Sequence, residues 1–483
     1  MATAPDDSQP KRGWLRFGRD PDGAPLTWRD IRSGINEWVR DRSAAQLFTG
    51  SFFLLVVLGT LALWGLPGLY TGEDLGFVDS LFMSTSAVCV TGLSVSDLET
   101  QFTFFGQVVM LTLIQIGGLG IIAFASLIIL ALGRRLTLDA RDSAGSELVD
   151  LPNVTPRQLV FGIFLYAFSF EFITAVGLFL LWREDLGVGE ALWSSIFHAV
   201  SGFCQAGFSI NSDSLMGWND SPMTLIVAGL PVLVGGLGFL TIEDIRRRVF
   251  WKRHRLALHT KVVVTATIAL FLLGMGVFLI FEWDGVLSGM SLADHLANAG
   301  FMSVSARSVG FNSIDHAQAS YGTNFFTVIL MFIGGGPGGT AGGIKITTFA
   351  VIGLLAWSRL RGRQHVTVFN RTIPDETIQR ATGLVMAFGT VTIVCLLVLT
   401  RTEDFSVPGH TFLAYLFEVV SALGNVGLGM GVTGDLSTTG KLVIIVAMFA
   451  GRVGPITLIS IFAHRNGRRR DRFRYANGEV ILG

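Results

Sequence analysis

The chain has 483 residues, half of them hydrophobic, and a formal net charge of zero, with a mean hydropathy of +0.56. Only 15% of its residues are charged, against about 25% in a soluble globular chain. That is too little charge to cover a water-facing surface of this size, so a soluble globular protein is excluded and an all-α polytopic membrane protein is expected.

In chain order, residues 1–44 are polar, with mixed charge, and read as a cytoplasmic segment with a helical stretch around 28–39 and no cleavable signal peptide. Mostly apolar runs of about 18 residues or more, enough to cross ~30 Å of hydrocarbon, follow at 46–69, 102–132, 159–182, 223–240, 262–281, 382–399 and 442–462. The stretch 323–357 is too long for one span and is broken by Pro337 and many glycines, so it reads as two half-helices joined by a flexible loop. Five segments (up to Arg42, 133–157, 246–261, 359–380 and beyond Ala463) hold 30 of the 36 Lys and Arg residues. That bias places both termini and the three linkers in the cytoplasm. Cys89, Cys204 and Cys395 all lie in or beside apolar segments, which suggests buried apolar side chains and no disulfide framework.

A repeat emerges when four stretches are aligned on one glycine: AVCVTGLS at Gly92, GFCQAGFS at Gly207, SARSVGFN at Gly310 and ALGNVGLG at Gly427. The glycines are 115, 103 and 117 residues apart. Ser86, Ser201 and Ser421 sit six residues before their glycines, and Phe82, Phe197 and Phe417 ten before; the third copy departs, with Val304 and Gly300. Each copy runs from an apolar span, through a half-length apolar segment too short to cross, to the glycine and a second span. Four like-oriented span–pore helix–span copies are therefore expected around one pseudo-fourfold pore, giving eight transmembrane helices and four re-entrant pore helices. They occupy 45–140, 141–255 with its linker, 256–365 and 366–465, and residues 466–483 form a cytoplasmic tail. Glycine allows dihedrals that turn successive carbonyls the same way, and rings of carbonyls can replace an ion's hydration shell. A second glycine register follows 24 to 28 residues later, at 117–120, 235–238, 334–343 and 451–454, and is expected to face the cavity below the ring.

These residues resemble the Trk/Ktr/HKT superfamily of potassium transporters over nearly the whole chain. The tail ending GEVILG, with no extra N-terminal spans, looks most like the Ktr membrane subunit. By that resemblance Val90, Thr91, Gly92 and Leu93, Gln205, Ala206, Gly207 and Phe208, Ser308, Val309, Gly310 and Phe311, and Asn425, Val426, Gly427 and Leu428 form the selectivity filter, with K+ as the ion. Serine at the first glycine accompanies sodium preference in plant members, so Gly92 implies potassium. The resemblance also implies an intramembrane gating loop over Gly334, Gly335, Gly336, Pro337, Gly338, Gly339, Thr340, Ala341, Gly342 and Gly343, with Lys345 at its far end. It further implies a homodimer in the inner or plasma membrane and a separate cytosolic nucleotide-binding ring of the RCK type.

Arg452, within the fourth copy's second span, is an intramembrane ionisable residue and hence a functional candidate. Either its charge opposes cation passage or pairs with the loop's carbonyls, or it pins its helix to the loop. Arg307 is expected to point behind the filter and pair with Glu418, and His198 to serve packing. Asp97, Asp213, Asp315 and Asp435 follow the glycines by five to eight residues, either as solvated loop carboxylates or as a cation-concentrating mouth. GGTAGGIKIT lacks the Gly-Lys-Ser/Thr order and the preceding strand of a phosphate-binding loop, and neither a cofactor nor a nucleic-acid partner is expected. The basic linkers and tail suit docking of the ring or contact with anionic lipid. Two further classes stand beside a channel-like uptake protein: a carrier coupling K+ to Na+ or H+, and an intramembrane enzyme using Cys89 or Cys204 with His198, which no acid–base or metal spacing supports.

Overall fold

The computed structural model describes residues 44–131, 156–250 and 255–455. The segment expected over 1–44 therefore lies outside the described residues except for Ala44. So do most of the basic linker 133–157 and the tail 466–483.

Among the described residues the regular elements are helices, apart from one hairpin of two-residue strands. The first copy comprises α1 (Ala44–Gly65), α2 (Phe77–Cys89) and α3 (Phe104–Ala131). The second comprises α4 (Pro156–Trp182), α5 (Val188–Cys204), α6 (Pro222–Leu237) and α7 (Phe239–Phe250). The third has α8 (Leu258–Glu282), α9 (Leu292–Ser305), α10 (Tyr321–Phe332) and α11 (Ile346–Leu360). A hairpin, β1 (Thr367–Val368) with β2 (Arg371–Thr372), leads to α12 (Asp375–Thr402), α13 (Phe412–Gly424) and α14 (Thr438–Val453). Among the described residues four helices are long and apolar enough to cross a membrane, or five if the bent pair α6–α7 counts as one span. Bulky apolar side chains on their outer faces, such as Phe161, Phe172 and Ile280, stand exposed, as a lipid-facing surface requires. The chain is a multi-pass membrane protein.

The half-length helices sit inside this shell. α2 has 13 residues, which span about 20 Å at 1.5 Å per residue, short of the hydrocarbon thickness. Their ends explain why apolar helices stop on polar or β-branched residues. In α2, α5 and α13 the residues after the helix, Val90, Gln205 and Asn425, take the left-handed conformation, with φ of 57°, 64° and 51°. Their N–H groups bond to Ala87, Gly202 and Ala422, and the next N–H groups (Thr91, Ala206, Val426) reach back to the carbonyls of Ser86, Ser201 and Ser421. This paired closure satisfies carbonyls that a helix end would otherwise leave open.

The third copy corrects the sequence alignment. α9 ends at Ser305 on a right-handed residue, Ala306, and the N–H of Gly310 bonds to the Ser305 carbonyl. Ser305 donates to Phe311 O at 2.6 Å as Ser201 donates to Phe208 O at 2.7 Å. Its counterpart phenylalanine is Phe301, four residues earlier, and Phe82, Phe197, Phe301 and Phe417 are all buried. The copy does not lose its Phe and Ser; it lacks one residue between the serine and the glycine.

One other expectation changes. The run 223–240 is not one straight span: it breaks at Gly238, where φ is +86° and the axis turns by 99°. A side chain at Gly238 would strike the carbonyl of Pro337. Within the second glycine register, Gly117, Gly235 and Gly451 are buried, and Gly235 lines a small cavity together with Gly118, Gly338, Gly339 and Thr340. A Cβ on Gly117, Gly235 or Gly451 would collide with the carbonyl oxygen of Val88, Phe203 or Leu423 respectively, the penultimate residues of α2, α5 and α13. These three glycines let each second span press on the end of its own half-length helix, the close backbone approach that small residues permit in membranes.

Gly117→Ala and Gly451→Ala should each destabilise the protein by about 1–3 kcal/mol through overpacking. Gly389→Ala in α12, where a Cβ meets nothing within 4 Å, should be neutral or slightly stabilising. Thermal melts of the detergent-solubilised variants check both.

Candidate functional site

The four aligned glycines share one geometry. Gly92, Gly207, Gly310 and Gly427 have φ of +90°, +67°, +82° and +95°, conformations that residues with a Cβ rarely take. A Cβ on Gly92 would meet the carbonyl oxygen of Ala206; on Gly207, that of Val309; on Gly310, that of Val426; and on Gly427, that of Thr91. Each glycine thus abuts the residue before the next copy's glycine, and the fourth closes on the first. The side chains flanking these glycines, from Val90 and Leu93 round to Asn425 and Leu428, are buried, while the backbone of Gly92, Gly207 and Gly427 keeps partial access. α2, α5 and α13 direct their C-terminal ends, the negative poles of their dipoles, at this ring. The ring serine of the fourth copy holds the loop differently from Ser201 and Ser305: Ser421 Oγ accepts from the Gly427 N–H at 3.0 Å.

Side chains at Gln205 and Asn425 do more than the sequence foresaw. Gln205 Nε2 donates to Val232 O of α6 at 2.7 Å, and its Oε1 accepts from the Ser308 hydroxyl of the third copy. Asn425 Nδ2 donates to Met448 O of α14 at 2.9 Å and to Thr91 Oγ1 of the first copy at 2.8 Å. An amide two residues before the glycine in the second and fourth copies was the available signal. A second unforeseen group is Glu171 of α4, buried with both oxygens on the Gln115 amide at 3.0 and 3.1 Å. Gln115 Oε1 in turn accepts from Cys204 Sγ at 3.2 Å.

Residues 333–345 form the expected connection between two half-helices, α10 and α11. Gly334 N bonds to Ile344 O at 2.9 Å and Ile346 N to Gly335 O at 3.0 Å, which folds the segment into a closed loop. It lies against α6 and α7: Gly336 N reaches Gly236 O at 2.6 Å, and Phe239 N reaches Gly338 O at 3.1 Å. A Cβ on Gly342 would strike the Asn425 side chain, so the loop also touches the ring. Thr340 is tied by its N–H to Gly235 O at 3.3 Å and by its hydroxyl to Phe203 O at 2.9 Å. Lys345 Nζ donates to Ala341 O at 2.8 Å. Arg452, buried in α14, donates from Nη1 to Thr340 O at 2.5 Å and from Nη2 to Gly117 O at 3.1 Å. It therefore bridges α3, the loop and its own helix.

The expected pairing of Arg307 with Glu418 does not form. Arg307 is buried with its Nε unpartnered, while Glu418 accepts from Thr433 Oγ1 at 2.7 Å and leaves its other oxygen unpaired. The one-residue shortening before Gly310 puts Arg307 in a turn instead of on the helix face that the alignment implied. His198 packs edge-on against Trp182 at 5.3 Å and bonds Ser209 Oγ at 2.8 Å, so it props the segment after Gly207. Three of the four acidic residues have side-chain partners in the structure. Asp97 accepts from the Ser212 hydroxyl, Asp315 from the Ala317 N–H and Gln318, and Asp435 faces His410 Nε2 at 3.3 Å. A Cβ on Gly217 would meet Asp213. The three cysteines are free and buried. Among the described residues no group of three or more His, Cys, Asp or Glu could hold a metal ion.

Comparison with known proteins follows from this geometry. The TrkH family, described as a cation transport protein, matches residues 40–469. Ktr system potassium uptake protein B of Bacillus subtilis is 38% identical over 452 residues, covering 93% of this chain and 98% of that one. The potassium/sodium uptake protein NtpJ of Enterococcus hirae is 36% identical over 450 residues, covering 92% and 98%. The crystal structure of the potassium transporter TrkH from Vibrio parahaemolyticus superposes with a TM-score of 0.70 at 21% identity, covering 89% of this chain and 86% of that one, and so shares the fold. The chain belongs to the TrkH family of cation transport proteins, the family of the Ktr and Trk potassium uptake proteins.

Proposed function

We propose that this chain takes K+ into the cell along the axis of four like-oriented repeats, through a filter made by the carbonyls at Gly92, Gly207, Gly310 and Gly427. The observation that carries this reading is the closed succession in which each of these glycines abuts the next copy's carbonyl. Four carbonyl-bearing segments meeting at membrane depth have no water to solvate them from outside. Irregular backbone at that depth is tolerated where it lines a watery path, and inward carbonyls replace the hydration shell of a monovalent cation. The loop 333–345, lying beneath the ring, is the gate, and Arg452 holds it shut and sets a positive charge in the way of cations. The chain works as a homodimer in the cell membrane with both termini in the cytoplasm, under a separate cytosolic nucleotide-binding ring that pulls on the gate. A second reading, K+ uptake coupled to Na+, is favoured by one observation: the Enterococcus hirae relative is a potassium/sodium uptake protein.

K+ uptake in cells lacking their own K+ transporters tests the filter. Gly310→Ser should lower the preference for K+ over Na+ at least about tenfold, equivalent to 1.4 kcal/mol of discrimination. An unchanged preference sinks the filter. Removing the charge with Arg452→Gln should raise the maximal uptake rate several-fold at unchanged K+ over Na+ preference. A rate equal to or below that of the intact protein removes Arg452 from the gate.

A further inference from the structure

The four glycine stretches are alike in sequence, but the side chains that lock them together alternate. The fourth copy is joined to the first by Asn425 Nδ2 on Thr91 Oγ1 at 2.8 Å. The second is joined to the third by the Ser308 hydroxyl on Gln205 Oε1. Among the described residues, no side-chain hydrogen bond joins the first stretch to the second or the third to the fourth at this level. The two links therefore stand on opposite sides of the ring. Each is anchored outward as well: Gln205 Nε2 on Val232 O at 2.7 Å, and Asn425 Nδ2 on Met448 O at 2.9 Å. Both amides sit on residues with left-handed backbone, φ 64° at Gln205 and 51° at Asn425, and Gln205 Nε2 also reaches Gly202 O of its own helix at 3.4 Å.

Burial makes these links consequential. Thr91, Gln205 and Asn425 are 0% exposed and Ser308 is 4% exposed, so water cannot replace a lost partner, and a buried amide left unpaired costs more than the bond itself contributes. The backbone atoms they restrain are those of the ring. Thr91 is the residue whose carbonyl lies against Gly427, and Gln205 directly precedes Ala206, whose carbonyl lies against Gly92.

The geometry points to Thr91, Gln205, Ser308 and Asn425 as specificity-determining positioning residues. Two opposed braces fix the width of the carbonyl ring and so maintain discrimination between K+ and the smaller Na+. The four side chains act through the backbone they hold and not on the ion. This inference rests on the ring being the ion path.

Thr91→Val and Ser308→Ala each remove one hydroxyl with little change in volume. The readout is the ratio of K+ to Na+ uptake in transport-deficient cells, which does not depend on how much variant reaches the membrane. Each substitution should lower that ratio about fivefold, the worth of one net hydrogen bond, and the double variant should lower it further. Thr91→Ser, which keeps the hydroxyl, should retain the ratio within about twofold. An unchanged ratio in both single variants and in the double overturns the inference. So does a Thr91→Ser loss as large as that of Thr91→Val, which would make the site one of packing. Gly310→Ser in the same assay separates the levels. If it alone shifts the ratio, the ring stands and the braces fall; if none of the variants shifts it, the ring itself falls.

Discussion

Everything in this structure is arranged around a contact that has no room for a side chain. At Gly92, Gly207, Gly310 and Gly427 the backbone is in a conformation that disfavours any Cβ, and the space a Cβ would need holds a neighbouring carbonyl. Two independent constraints on one atom leave a single residue type. The consequences run outward. The half-length helices must stop early enough for the chain to turn, which sets the left-handed closures at Val90, Gln205 and Asn425. The spans behind must approach the helix ends closely, which sets the glycines at 117, 235 and 451. Irregular backbone at membrane depth then needs partners, and serine hydroxyls and buried amides supply them.

Much of this was legible in the sequence because it depends on local chemistry. A glycine after a half-length apolar stretch, four times over, is a backbone signal that needs no tertiary information. The interrupted stretch around Pro337 was legible for the same reason, since no helix survives that many glycines beside a proline. The third copy was misaligned because offsets were counted back from Gly310. The Phe301–Ser305 spacing, one helical turn, is kept, and counting from the helix face would have recovered it. The break at Gly238 had a local signal in the glycines at 235–238, but the apolar run continues through them, and the carbonyl of Pro337 that a side chain there would strike is a hundred residues away. Arg307 and Glu418 have complementary charges, but which buried charges meet is a property of packing. Glu171 was visible as one carboxylate in an apolar run, yet its bonds to Gln115 and through it to Cys204 come from two other helices.

Arg452 shows how a cation survives in the interior. Its guanidinium meets no carboxylate among the described residues; it is held by the carbonyls of Thr340 and Gly117, with Nε unpartnered. A buried charge satisfied only by neutral dipoles costs free energy. That cost is sustained by the packing of α3, α14 and the loop around it, which makes the site a place where stability has been traded for an arrangement of charge.

The threonine at the centre of the loop has one further consequence. Thr340 is fastened by its N–H and its hydroxyl to the second copy and by its carbonyl to the fourth. A segment moored on two opposite banks does not drift open by degrees, because slackening one line leaves the other taut. On the proposal that this loop is the gate, opening requires both moorings to release, so it would be a single step instead of a gradual widening.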